Sequence, residues 1–245
     1  MHRNILSLLA LFLLVLPVRA EVLNLNAILD ATARVKAGGS YGSATCIGKT
    51  DTTFLFLTNG HVVGSNKTVT IEVFNRGLVS KPLPATVVFA RFRRGTDEDI
   101  AILSVPSSYF GKYPPRVIPL APPSFKLMKN QYIASCGCGD AEFARGWEGK
   151  VWWGNSGQLY FSTPPRGGQS GSAIVGIIDF GNGRLESRVC GVVTWRLGNS
   201  IGPILRNAKT VGGAIPSHRV YEILQGASGK SIPVSHKTAL LYQPR

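Results

Sequence analysis

From Ala33 onward, short apolar runs alternate with polar breaks: Thr45-Cys46-Ile47, Phe54 to Thr58, Val69 to Phe74, Thr86 to Phe89 and Ile100 to Val105. Each run is too short for a packed helix, and Gly, Asn, Pro and Lys fill the gaps, the pattern of short antiparallel strands. Pro114 to Pro123 interrupts this rhythm. Closely spaced prolines disfavour both helix and central strand, so the stretch reads as a linker. The rhythm then resumes with Gln131 to Ala134, Val151 to Trp153, Gln158 to Phe161, Ala173 to Ile178, Val189 to Thr194 and Gly213 to Ile215. Ser217 caps a predicted helix through Val220, Tyr221, Ile223 and Leu224 that ends at Gly226, and Leu25 to Leu29 reads as a short helical turn. Two sets of about six strands predict an all-β fold, two packed six-stranded antiparallel barrels with a short C-terminal helix.

The first twenty residues differ in kind. Arg3 is followed by an apolar run from Ile5 to Leu16 and by Val18-Arg19-Ala20, the spacing of a signal-peptidase site. The run falls short of the roughly 20 residues a membrane-spanning helix needs, and an uncleaved anchor is the alternative. The expected organisation is therefore a signal peptide at 1–20, a first barrel at 21–113, a linker at 114–126, a second barrel with its helix at 127–226, and a basic tail at 227–245. The expected chain is secreted or periplasmic, with no transmembrane segment once the signal is cleaved.

Charge adds one expectation. Removing Arg3 and Arg19 with the signal, and no acid, lowers the formal charge from +14 to +12. Such a field favours non-specific attraction to anionic polymers, but the basic residues are scattered and form no nucleic-acid motif. The four cysteines, Cys46, Cys136, Cys138 and Cys190, allow three complete disulfide pairings in an exported protein. One residue between Cys136 and Cys138 makes a bridge there strained, so one of them is expected to join Cys190, with free buried thiols as the alternative. A single C-x-C pair offers no metal site, and no cofactor motif is present.

Three segments carry chemistry, in the order His, Asp, Ser. His61 lies in Thr58-Asn59-Gly60-His61-Val62-Val63 at the end of an apolar strand, where an imidazole can take a proton from a hydroxyl. Asp99 abuts Ile100-Ala101-Ile102-Leu103, where a carboxylate can fix the imidazole tautomer; Asp97 and Glu98 read as solvated loop charges. Ser170 lies in Gly167-Gly168-Gln169-Ser170-Gly171-Ser172, whose glycines let the N–H groups of Gly168 and Ser170 converge on one spot. An α/β-hydrolase elbow is excluded, because Ser172 stands where its second glycine belongs and the histidine precedes the serine. His218 and His236 read as structural or solvated.

GSATCIG, TNGHVV, DIAIL, GGQSGSAIV and GGAIPS, in that order, resemble the trypsin-like (chymotrypsin-fold) serine peptidases. The closest likeness is to the bacterial branch of HtrA-type proteases and glutamyl endopeptidases. The resemblance spans residues 33–225. It implies a cleft between two barrels, a triad of His61, Asp99 and Ser170, and an oxyanion hole from Gly168 and Ser170. It also implies a substrate-pairing backbone at Thr194, and a specificity pocket walled by Thr194, Trp195 and Arg196. Three departures bear on function. Gln169 replaces the aspartate that captures a freed N-terminus in digestive trypsins, so activation of that kind is not expected. Pro164 stands where trypsin has the aspartate that selects Lys or Arg. The roughly twenty residues after the helix leave no room for a PDZ domain. Arg166 and Arg196 flank the expected pocket and suit acidic or polar substrates. The expected function is a secreted serine endopeptidase acting on protein or peptide substrates. An inactive protease-fold module binding an anionic partner, and an esterase or self-processing protease, are the alternatives.

Overall fold

The computed structural model describes residues 23–154, 157–181, 183–196 and 211–226, with the backbone alone for Trp195 and Arg196. The expected signal peptide and basic tail lie outside these residues. The chain opens with α1 (Leu25–Leu29), capped by Asn24, whose side chain accepts the N–H of Ala27 at 3.1 Å.

The first sheet contains β1 (Thr32–Ala37), β2 (Ser40–Lys49), β3 (Thr53–Thr58), β4 (Thr68–Asn75), β5 (Leu78–Val79), β6 (Leu83–Phe92) and β7 (Asp99–Pro106). Its order is β1-β2-β3-β7-β6-β4, and β4 pairs back onto β1 through contacts such as Val35↔Ile71, which closes a six-stranded barrel. The short strand β5 is a hairpin appended to β4. Ala33, Val35, Phe54, Phe56, Ile71, Val73, Leu103 and Val105 fill the interior. The alternate residues of β3 and β7 (Leu55, Leu57, Ile100 and Ile102) are buried on the outside instead. Both faces of these two strands are covered, which is why they read as continuous apolar runs rather than as alternation.

The second barrel contains β8 (Tyr132–Gly137), β9 (Arg145–Gly154), β10 (Leu159–Phe161), β11 (Ala173–Asp179), β12 (Leu185–Arg196) and β13 (Gly212–Pro216), closed in the order β10-β13-β12-β11-β8-β9. Ile133, Val151, Leu159, Phe161, Ile174 and Val193 fill it. Outward-facing Ala134, Ala173, Val175, Val189, Val192 and Ile215 meet Leu55, Leu57, Ile100 and Ile102 in one shared core. The helix α2 (Gly60–Val63) is a single turn after β3, and α3 (Ser217–Gly226) inserts Val220 and Ile223 into the shared core. The expected double barrel with its terminal helix is thus the observed fold.

The proline-rich stretch is packed rather than loose. Its backbone donates from Arg116 to Asp30 O, from Ile118 to Cys46 O and from Ala121 to Val189 O, at 2.8 to 3.0 Å. Ile118, Leu120 and Ala121 are buried. The expected disulfide is not formed, and all four cysteines are free and buried. Cys136 on β8 and Cys190 on β12 flank β11, so two strand spacings, roughly 9–10 Å, separate them, beyond the span of a disulfide. Cys138 packs instead with Phe74 and Ala144, and Cys190 with Ala121 and Ile178. Burial pushes the thiols of Cys136, Cys138 and Cys190 up to about 12, and that of Cys46 higher still.

Candidate active site

His61 is presented by α2. Its backbone N–H donates to Asp99 Oδ1 at 2.9 Å and its ring Nδ1 meets Asp99 Oδ2 at 2.6 Å. Asp99 opens β7 and is buried, and the side-chain amide of buried Asn59 donates to its carbonyl at 2.8 Å. With Nδ1 donating to the carboxylate, the ring's lone pair lies on Nε2. The ring is about one-third exposed at 34% and lies beside the exposed Phe92, with centroids 5.9 Å apart.

Ser170 sits in the tight turn between the proline-bearing loop and β11. Ser172 closes that turn through its N–H and Oγ, both donating to Gln169 O at 3.0 and 2.8 Å. The serine backbone is tied to both barrels. Ser170 O accepts the N–H of Ser43 on β2 at 2.7 Å, and Gly171 N–H donates to Val193 O at 2.8 Å. Gly171, at φ +88, has no room for a side chain, since a Cβ would overlap Ser43 O and Thr58 Oγ1. Gly42 lies where α2 meets the serine turn: a Cβ there would sit 2.6 Å from Val62 and 3.1 Å from Ser170 O. The Ser170 hydroxyl donates to Thr194 O at 3.4 Å and makes no hydrogen bond to the His61 ring. The structure therefore pairs His61 with Asp99 directly and sets the serine turn against the helix that carries His61.

The N–H groups of Gly168 and Ser170 meet no acceptor among the described residues. Gly168 has φ +86, and a Cβ there would overlap Cys138 O, so the position accepts glycine alone. Behind it runs the turn Gly139–Ala141, in which Asp140 and Ala141 hold φ of 55° and 60°. Left-handed backbone at such residues costs about 1–2 kcal/mol each and persists only where the surroundings hold it. Gln169 is buried and its Oε1 accepts the N–H of Arg166 at 2.8 Å, so it braces its own loop.

The other expected site residues fall around this centre. Pro164 is half-buried in the loop before Ser170, and Arg166 is exposed, leaning over Gly139. Thr194 is buried at a β-bulge between Val193 and Trp195, and such a bulge re-aims its carbonyl toward Ser170. Trp195 and Arg196 pair with Gly213 and Gly212 of β13. His218 lies on α3, half-buried, and His236 is outside the described residues. Asp97 and Glu98 depart from expectation. Asp97 accepts from Arg219 Nε and Nη2 at 2.6 and 3.2 Å, and Glu98 lies 3.7 Å from Arg91. The contacts of Asn59 and Ser43, which lie within TNGHVV and GSATCIG, and of Arg34, which lies outside any motif, emerge only in three dimensions.

The model of the trypsin-like peptidase domain matches residues 42–179, a little over half of the chain, from within β2 to the end of β11. The chain belongs to the trypsin-like peptidase family. No curated protein matches it. Among solved structures, this peptidase is similar to the inactive form of Rv3671c from M. tuberculosis H37Rv, a serine-to-alanine mutant. The TM-score is 0.61 at 18% identity, covering 88% of this chain and 92% of that one. A second structure of the Rv3671c protease, also in an inactive form, gives 0.57 at 18% identity over 86% and 93%. The serine endoprotease from Yersinia pestis gives 0.61 at 17% identity, covering 82% of this chain and 65% of that one. At these identities the likeness is one of fold. Among the described residues, no helix is long and apolar enough to cross a membrane.

Proposed function

We propose that this peptidase is an exported serine endopeptidase whose triad is His61, Asp99 and Ser170. The observation that carries the reading is the pair of hydrogen bonds from His61 to Asp99, 2.9 Å from the backbone N–H and 2.6 Å from the ring, which leaves the Nε2 lone pair as an acceptor. Rotation of Ser170 about χ1 brings Oγ from Thr194 O toward Nε2, as catalytic hydrogen bonds tighten when substrate binds. Oγ then bonds to the scissile carbonyl carbon as its proton passes to Nε2. The oxyanion lies against the N–H groups of Gly168 and Ser170. Collapse breaks the C–N bond, and His61 returns the proton to the leaving amine. Water repeats the sequence on the acyl-enzyme, releasing the acid and restoring Ser170. No metal or organic cofactor enters these steps. The apolar segment at 1–20 supports export, and Thr194 to Arg196 with Pro164 would line the pocket for the side chain before the cut. Arg166 and Arg196 at its rim suit acidic or polar residues there, which cleavage profiling on a peptide library tests.

A fluorophosphonate probe on the folded mature chain tests the central reading. Labelling at Ser170, with Ser170→Ala losing both label and peptide hydrolysis at unchanged melting temperature, is the expected result. Hydrolysis by Ser170→Ala at the wild-type rate sinks it. The direction of Ser170 Oγ toward Thr194 O favours a second reading, a protease fold that binds without cutting. Folded wild-type protein that takes up no label at Ser170 would establish that one.

A further inference from the structure

The glycine that would offer the first oxyanion donor is gripped from behind by the other barrel. Ser43, on β2 of the first barrel, is fully buried, and its Oγ donates to Gly168 O at 2.8 Å while accepting the N–H of Cys138 at 2.9 Å. The adjoining carbonyl, Gly167 O, accepts the N–H of Asp140 at 2.6 Å. In a planar trans peptide the N–H points opposite to the C=O, so Gly168 N–H is turned away from the 139–141 turn. That turn is itself held from the first barrel. Arg34 on β1 donates through Nη1 to Ala141 O at 2.6 Å, while its Nε and Nη2 lie 2.7 Å from Glu72. The carbonyls of Gly167, Gly168 and Ala141 thus each have a donor. Two of those donors, Ser43 and Arg34, come from the barrel that does not carry the serine.

We propose that Ser43, through the carbonyl of Gly168, and Arg34, through the turn whose Asp140 N–H holds Gly167 O, are positioning residues that fix Gly168 with its N–H directed into the cleft, so that the first barrel sets the oxyanion hole of the second. The proposal rests on Ser170 as nucleophile and Gly168 as donor. It supplies what Gln169 cannot, since a glutamine at that position captures no amino terminus by charge. The brace acts on the hole rather than on substrate affinity, because an oxyanion exists only after attack. Losing Ser43 Oγ leaves Gly168 O and Cys138 N–H without partners and loosens Gly168 on one side, so that its N–H is no longer held toward the hole.

The test compares mature wild-type, Ser43→Ala, Arg34→Met and Ser170→Ala chains. It measures kcat and KM on a peptide amide, with active sites titrated by fluorophosphonate so that kcat is counted per folded site. It also measures inhibition by a peptide aldehyde, whose tetrahedral adduct needs the hole. Ser43→Ala is expected to lower kcat per titrated site about 10- to 100-fold with KM within about twofold, and to weaken the aldehyde in parallel. Arg34→Met, at a partly exposed side chain that tolerates change, is expected to do the same by about 3- to 10-fold. Values of kcat per site and aldehyde affinity within twofold of wild type in both variants overturn the brace. A rise in KM alone also overturns it, since that assigns the pair to ground-state binding. A wild-type chain unlabelled at Ser170 fails earlier and differently, because it removes the nucleophile on which the brace depends.

Discussion

A carboxylate that accepts from both the ring and the backbone N–H of one histidine leaves that ring a single orientation and a single tautomer. Asp99 is placed this way, and Asn59 pins its carbonyl from behind. An amide at position 99 presents a donor to one of the two N–H groups and forces the ring proton onto Nε2, where a base is needed. Asp99→Asn is therefore expected to cost about 1,000- to 10,000-fold in kcat with the fold retained. Steady-state rates beside a thermal melt check this, and a loss of less than tenfold would remove Asp99 from the triad. The thiols have the opposite environment. Burial holds three of them near 12, with the fourth higher, so they stay protonated at neutral pH and supply no competing nucleophile.

At the scale of elements, one ion pair ties α3 to the loop before Asp99. Arg219 on α3 meets Asp97 with two nitrogens, and these bonds hold its guanidinium above its ordinary range. Both side chains keep some solvent contact, so the coupling between Arg219→Met and Asp97→Asn in a double-mutant cycle is expected near 1 kcal/mol. Denaturant unfolding of the four proteins measures it, and strict additivity would show the pair to be idle. The sequence reads Asp97 as solvated because its partner lies 122 positions away, and local pattern carries no such information. Ser43, whose partner Gly168 is 125 positions on, is hidden for the same reason. The apolar runs of β3, β7, β11 and β12 were legible because burial on one or both faces writes itself into composition. The first half of β9, Arg145 to Lys150, was not legible. Its glycines and charges resemble a loop, and only its register with β8 makes it a strand. The single turn of α2 is too short to show a period. The proposed triad residues were legible as candidates because each adjoins a readable strand, whereas the disulfide expectation failed on strand order, which composition does not encode.

For the molecule as a whole, the decisive fact is that the two barrels share a core. Ile102 of β7 is 1% exposed and sits where the outer faces of both barrels meet. Ile102→Ala is expected to cost about 2–5 kcal/mol. It should lower one melting transition common to both barrels, seen as calorimetric and van't Hoff enthalpies that agree. Two resolved transitions, with only the first barrel shifted, would show that the halves fold independently. That shared face also has a history during synthesis. Every strand of the first barrel lies before residue 107, while the strands that cover Leu55, Leu57, Ile100 and Ile102 run from 132 to 216. At ribosomal rates the first barrel can close about 5–20 s before its cover exists. Throughout that interval the nascent chain displays an apolar stripe on an otherwise finished surface. The contact that makes the mature protein one cooperative body makes the half-made chain a client for a chaperone.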